Sequence, residues 1–363
     1  LYGFFVDSNV LFVVYYCISQ KKYCFLQIKT IMKHYLFIII AVLVLLSCQN
    51  ENEPALSGLY LGQNLPGDSA ELFAPGIVST GMSERDIAIY PDGSEIYFCR
   101  NLGNHKFATI FYTKQVAGVW TQPEVLEFCR NPKYTYIEPF ISPDGSKLFF
   151  VSNMNEDGGE SKSSDVWVSE RLNGHWDEPY NLGEPVNSDK DEYFPSVTQD
   201  GTLYLTKPDE SGQEYIVRYQ YKEGEYVKGE KLNAHVNCGV VRYNALIAPD
   251  ESFIIVPAFG MDDNFGGTDY YIVFRNENDE WSKPVNMGDK INSADPREWS
   301  VAFSPDGKYL FFMSARGMTN NQLPAELSAK TFNQLRNSPQ NGNSDIYWIK
   351  SDFIDELKKK AVF

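Results

Sequence analysis

Histidine and cysteine are scarce in this chain: four and six among 363 residues. The cysteines are scattered with no CxxC pair, so neither a zinc site nor a disulfide framework is expected. HExxH and GxSxG are absent, which argues against a zincin and against a hydrolase nucleophile elbow. His105, His175 and His235 fall in a loop, a tight turn and a connecting link, a poor basis for acid–base chemistry. Positive charge is also short, at 32 basic against 48 acidic side chains. The first 47 residues hold four lysines and one aspartate, so the remainder carries 28 basic against 47 acidic groups, a formal charge of −19. A field of that sign repels phosphate backbones and anionic lipid, and nucleic acid is not an expected partner. Neutral glycans, cationic peptides and divalent metals stay compatible with it.

The hydrophobic run that is present lies near the start. "MKHYLFIIIAVLVLLSC" (32–48) opens with Lys33, continues through an apolar core and ends on Leu-Ser-Cys. The core is shorter than the ~20 residues of a membrane span. The segment resembles a bacterial lipoprotein signal, which implies lipidation at Cys48 and membrane contact only through that lipid. The expected division is a non-mature upstream segment 1–31, a signal peptide 32–47, a tether 48–65 and a single domain 66–363. Gln49 in place of a retention aspartate implies the outer membrane, with the periplasmic and cell-surface faces both open.

The rest of the chain is dominated by a repeat. "IYPDGSEIYF" (89–98), "ISPDGSKLFF" (141–150), "VTQDGTLYLT" (197–206), "IAPDESFIIV" (247–256) and "FSPDGKYLFF" (303–312) place a turn before an apolar strand. The first turn residues are spaced by 52, 56, 50 and 56 positions. Proline pre-sets φ, aspartate bonds the following backbone and glycine accepts positive φ. Each unit then offers a third strand, such as "DVWVS" (165–169), and the first four units add a fourth piece with residues three apart: Trp120, Pro123 and Leu126, or Trp281, Pro284 and Met287. Proline cannot donate to a central ladder, so this fourth piece belongs at a sheet edge. Four-stranded antiparallel units of this length, covered on both faces, describe an all-β propeller. The fifth unit lacks its fourth strand, and "LFAPGIV" (72–78) carries the same spacing. We therefore expect five four-stranded blades closed by an N-terminal strand, or six if a degenerate unit occupies 49–71 or 316–343.

"NLGEPVNSDKDEYFPSVTQDG" (181–201) and "NMGDKINSADPREWSVAFSPDG" (286–307) resemble the WD40-like propeller repeat of the TolB type, over roughly 84–350. The resemblance implies an envelope propeller whose members bind proteins, peptides or glycans, and it does not specify a ligand.

Loop lengths mark one face of the ring. The strand 2–3 loops include "NMNEDGGESKSS" (153–164), "FGMDDNFGGT" (259–268) and an insert from Ala315 to Ser344, whereas the opposite face has tight turns. Long loops on a rigid scaffold are where binding concentrates. Seven residues before each turn stand Glu84, Tyr136, Glu192, Arg242 and Glu298; two further on come Asp86, Glu138, Phe194, Asn244 and Ser300. The first set is expected as a carboxylate-rich ring at the channel mouth, holding a cation or a hydroxylated ligand, or else paired internally. Tyr134, Tyr136 and Trp299 offer rings for stacking on sugars. Asp165, Asp269 and Asp345 open the third strand in three units, where a short polar residue commonly bonds a local amide. Asp262, Asp263 and Asp269 are a weak calcium candidate without a known loop spacing, and no other cofactor is indicated.

The leading expectation is a monomeric, lipid-anchored propeller that binds an envelope protein or glycan on its long-loop face without catalysis. The alternative is a glycan-active enzyme, a glycoside hydrolase or lyase, using carboxylates such as Glu192 and Glu298 at the channel mouth. A third is a purely structural envelope component.

Overall fold

Turn chemistry sets the frame in each repeat. Asp144 Oδ1 accepts from the Ser146 amide at 3.0 Å and from the Ser142 hydroxyl at 2.6 Å, and Gly145 sits at φ 74°. The bond from the amide two residues on recurs at Asp92, Asp200, Asp250 and Asp306, and the preceding hydroxyl joins it at Asp200 and Asp306. The turn closes the hairpin of inner and second strands, and the buried Phe, Tyr, Ile and Val of the second and third strands pack between neighbouring sheets.

The computed structural model describes residues 56–363 apart from Asn104, Asp295 and Pro296. They form a five-bladed β-propeller. Blade 1 has Ser83–Ile89, Glu95–Leu102 and Phe107–Val116; blade 2 has Tyr136–Ile141, Lys147–Ser152 and Asp165–Leu172. Blade 3 has Tyr193–Val197, Leu203–Pro208 and Glu214–Tyr219. In blade 4 the inner strand is split into Val241–Arg242 and Leu246–Ile247, followed by Phe253–Phe259 and Thr268–Phe274. Blade 5 has Val301–Phe303, Tyr309–Ser314 and Asp345–Lys350.

The outer strands are shorter than the repeat implied. In blade 1 the edge consists of Val119–Trp120 and Glu124–Val125, separated by the stretch holding Pro123; in blade 2 it is His175–Trp176 and Tyr180–Asn181 around Pro179. Missing proline N–H groups interrupt the ladder there. Blade 3 has Gly229 instead, where a Cβ would come within 2.6 Å of the Tyr219 ring. Trp120, Leu126, Leu232, Trp281 and Met287 anchor these edges in the core.

Closure comes from the N-terminal side, with a boundary correction. The closing strand is Glu71–Leu72, paired with Trp348 and Tyr347, and the Phe73 amide donates to the Ile346 carbonyl at 2.8 Å. The chain then turns at Ala74 (φ 42°), so 75–78 leave the sheet instead of extending it. No sixth blade occurs among the described residues: the 316–343 segment holds a short 3-10 turn and the helix Ala329–Arg336.

The tether expectation is also corrected. Leu56 already belongs to the propeller unit. The Trp120 amide donates to the Leu56 carbonyl at 2.9 Å, and Tyr60 and Leu61 are buried with Phe73, Phe98, Phe311 and Trp348. Phe73 meets Phe311 edge-on at 5.0 Å and Trp348 at 5.2 Å. Such aromatic pairs add about 0.5–1.5 kcal/mol each beyond their burial. The segments 1–31 and 32–47 and the lipidation position Cys48 lie outside the described residues. Among those described, no helix is long and apolar enough to cross a membrane.

Three inner strands share a distortion that shapes the axis. Asp86 (φ 54°), Glu138 (φ 59°) and Phe194 (φ 48°) are left-handed, and strand pairing slips at each. Left-handed backbone costs a side-chain-bearing residue roughly 1–2 kcal/mol. A bulge breaks the alternation of side chains and redirects them, here toward the centre of the ring.

Candidate functional site

The bulged residues build a polar plug that joins all five blades. From blade 1, Arg85 reaches Asp86 at 2.5 Å and Glu138 of blade 2 at 2.8 Å. Glu138 accepts from the Phe194 amide of blade 3 at 2.6 Å and from Asn244 Nδ2 of blade 4 at 3.1 Å. The Asp86 amide donates to Ser300 Oγ of blade 5 at 3.3 Å. Burial pushes the Glu138 carboxyl above its ordinary value, with the Arg85 guanidinium opposing and Asp86 reinforcing the rise. Two carboxylates facing one guanidinium in a buried site explain the direction. Arg85, absent from the sequence-based candidates, is the keystone.

The expected carboxylate ring does not form. Glu84, Glu192 and Glu298 have no solvent exposure, and each binds the link leading into its own blade. Glu84 accepts from the Thr80 amide (3.0 Å) and hydroxyl (2.5 Å), with Arg100 at 3.3 Å. Glu192 accepts from Ser188 N (3.2 Å) and Oγ (2.5 Å), with Lys207 at 2.9 Å. Glu298 accepts from Ser293 N (3.2 Å) and Oγ (2.7 Å), with Arg316 at 3.4 Å. Burial holds Glu84 and Glu192 above the usual carboxylate value and lifts Glu298 to about 7.

Blade 4 solves the same problem with opposite polarity. Arg242 donates to the carbonyls of Cys238 (3.1 Å), Gly239 (2.7 Å), Val240 (2.9 Å) and Glu214 (2.7 Å). The internal glutamate partner anticipated for it is replaced by these backbone oxygens. Tyr136, the blade 2 counterpart, is buried against Phe150.

Remaining candidates take up structural positions. Asp269 Oδ2 accepts from the Phe265 amide (2.7 Å) and Asn286 Nδ2 (3.1 Å); Asp165 Oδ2 accepts from Asn181 (2.6 Å) with Lys162 at 2.7 Å. Asp345 Oδ2 accepts from the Gln340 amide at 2.7 Å, and burial lifts this carboxyl to about 7. Asp263 Oδ1 accepts from the Tyr271 hydroxyl at 2.8 Å, while Asp262 is exposed. Among the described residues, no three His, Cys, Asp or Glu side chains are grouped to hold a metal.

The open space lies elsewhere, at the seam where blade 5 meets blade 1. A cavity of about 1170 Å³ opens there on the long-loop face. Its walls come from the closing link (Thr80–Ser83), the blade 1 loop with His105, Trp299 just before the blade 5 inner strand, and the insert with Phe332 and Arg336. Trp299 lies 6.3 Å from His105 and 6.0 Å from Tyr243, ring to ring, so an aromatic row crosses the channel mouth. Asn101, Asn337, Asn341 and Asn343 add amides. Among the described residues no aspartate or glutamate lines the cavity.

Gly81 docks the insert. A Cβ at this position would stand 2.6 Å from the Arg336 carbonyl oxygen. The Gly81 carbonyl accepts from Asn341 and Asn343 side chains, both at 3.0 Å. Of the sequence candidates, Trp299 alone lines this cavity; Asp86 and Glu138 meet in the plug, and the others are dispersed among blades. The insert's position was legible from its length, but its role as a cavity wall depends on contacts to Gly81 that no repeat pattern encodes.

No protein-family model matches this sequence, and no curated protein sequence matches it. Solved structures with a similar chain course include a protein assigned as TolB from Agrobacterium tumefaciens (14% identity, TM-score 0.41, covering 74% of this chain and 90% of that one). A family 117 glycoside hydrolase from Zobellia galactanivorans aligns at 15% identity and TM-score 0.46, over 79% and 88% of the two chains. The NanB sialidase from Streptococcus pneumoniae aligns at 12% and 0.38, over 68% of this chain and 36% of its own. All are too distant to transfer the role of any residue.

Proposed function

We propose that this protein is a non-catalytic, lipid-anchored propeller of the bacterial outer membrane that binds a glycan in the seam cavity of its long-loop face. The observation behind this reading is the lining: an indole ring at the channel mouth, flanking side-chain amides, and no carboxylate among the described residues. Aromatic faces stack on the apolar face of a sugar ring, and amides pair with hydroxyls as both donors and acceptors. The volume exceeds the ~300–1,000 Å³ of ordinary small-molecule pockets, which favours a ligand of several sugar units. Among the described residues, the channel-mouth carboxylates Glu84, Asp86, Glu138, Glu192 and Glu298 are committed to the plug and to the inter-blade links. A glycan array probed with the purified protein tests the reading: specific oligosaccharide signals lost in Trp299→Ala support it, and signals indifferent to that change refute it. Anchoring at Cys48 is checked by lipid labelling in cells, which Cys48→Ala should abolish.

A hydrolytic reading draws on one observation. Glu298 precedes Trp299 in the chain, and burial lifts its carboxyl to about 7, the range a general acid uses. Its oxygens are buried against Ser293 and Arg316, so this reading requires the link to open. Release of reducing ends from a bound oligosaccharide, abolished in Glu298→Gln, would establish it in place of simple binding.

A further inference from the structure

The seam cavity differs in charge from the chain that forms it. Acidic side chains outnumber basic ones 48 to 32 overall, yet Arg100, Arg297, Arg336 and His105 line the cavity and no acid does among the described residues. The three arginines are held differently. Arg100 is tied to Glu84 at 3.3 Å, and Arg297 Nη2 donates to the Gly342 carbonyl at 2.6 Å. Arg336 stands exposed in the last turn of the helix Ala329–Arg336, where a cation also complements the helix dipole. Its guanidinium enters no hydrogen bond or ion pair with the described residues. His105 is held below its usual pKa by burial and then by the nearby Arg85, so at neutral pH the positive charge of the cavity is that of its arginines.

Resting on the glycan reading above, we propose that the ligand is an acidic oligosaccharide. Its carboxylate or sulfate would be taken by Arg336 at the cavity wall while a sugar ring lies on Trp299. The guanidinium fork matches two oxygens of either anion, and the asparagines on both sides of the cleft serve the sugar hydroxyls. The acidic exterior repels such a chain at long range and the arginine attracts it locally. Added salt therefore acts on both in opposite senses, and a point substitution is the cleaner probe.

Titration calorimetry of the purified protein with a tetragalacturonate, a sulfated galactan tetrasaccharide and a neutral maltotetraose is the test. At least one acidic ligand should bind about tenfold or more tightly than the neutral one, and Arg336→Gln should remove about tenfold of that affinity while leaving the melting temperature unchanged. Whichever acidic ligand binds identifies the anionic group. Neutral ligand bound equally well, with Arg336→Gln without effect and Trp299→Ala disruptive, overturns the charge inference and leaves the glycan reading standing. Binding of none of the three, together with an array indifferent to Trp299→Ala, overturns both.

Discussion

Blades 1, 3 and 5 begin with a buried glutamate; blade 4 begins with a buried arginine at the same place in the repeat. The glutamates gather amide and hydroxyl donors from the incoming link and one cation from the far end of the second strand or, for Arg316, just past it. Arg242 gathers carbonyls from its own incoming link instead. The charge is reversed, the link turns its donors or its acceptors inward to suit, and the mechanical result is the same: the crossover is tied to the inner strand. A buried charge with full hydrogen bonding is tolerated in either sign. This explains why carboxylates at a channel mouth need not be catalytic.

Arg242→Met tests the comparison most severely. It strands four carbonyls in a buried site and should destabilise the fold by about 3–5 kcal/mol, the range for removing one partner of a buried charged network. Urea denaturation at fixed pH measures this. A loss under about 1 kcal/mol would mean that the blade 4 link holds itself and that the two polarities are not equivalent.

Next in size is a pH effect carried on the glutamate side by Glu298 and by Asp345 near Glu84, beside that of Glu138 in the plug. Burial lifts the Glu298 and Asp345 carboxyls to about 7 in the folded protein, from ordinary values of 4.5 and 3.8. A carboxyl whose folded value is raised binds its proton more tightly in the native state. Its contribution is therefore fully present below the unfolded value and is lost as pH climbs through the folded one. Glu298 should cost up to about 3 kcal/mol and Asp345 up to about 4 kcal/mol between about pH 4 and about pH 7.5. Glu298→Gln should flatten its share of that slope in denaturation series across this window, and an unchanged slope would count against a protonated Glu298. Arg242, charged throughout, predicts no such slope for blade 4.

These details divide by how much of them the sequence carries. The Pro-Asp-Gly repeat and the missing fourth strand of unit five gave the blade number and the closing partner, because turns and strand edges are local in their chemistry. The position shared by Glu84, Glu192, Arg242 and Glu298 was equally visible, but its direction was not. A regular strand alternates its side chains, so Glu84 and Asp86 would share one face and Arg85 would take the other. The left-handed bulge at Asp86 breaks that parity and lets Arg85 reach Glu138 of the next blade. No residue type announces this bulge, since none of Asp86, Glu138 and Phe194 is a glycine. The Thr80–Glu84, Ser188–Glu192 and Ser293–Glu298 pairs were readable as hydroxyl-to-carboxylate spacings and would have identified the staples. Gly81, by contrast, reads as one more loop glycine until the helix end is seen against it.

Glu192→Gln should be milder than Arg242→Met. The amide oxygen still accepts from Ser188, and Lys207 keeps the Val186 carbonyl at 3.2 Å and the Tyr219 hydroxyl at 3.4 Å. A cost of about 1–2 kcal/mol is expected from the lost charge-assisted bond at 2.9 Å. Asymmetry between this value and that for Arg242 sharpens the comparison: a glutamate staple shares its load with a cation, whereas the arginine staple works alone.

The smallest effect on stability is expected at the insert, where the comparison passes from staples to surface. The helix Ala329–Arg336 buries none of its residues, and Leu323, Leu327 and Phe332 are exposed. Replacing residues 318–338 with a short Gly-Ser linker keeps Gln340 on Asp345 and Asn341 on Gly81, so the fold should lose less than about 1 kcal/mol. The same replacement removes Phe332, Leu335 and Arg336 from the cavity wall and should abolish oligosaccharide binding. Gly81→Ala should reproduce the binding loss without deleting anything, because the new methyl displaces the helix end. Binding that survived both changes would move the functional surface off the seam, even with every staple in the ring intact.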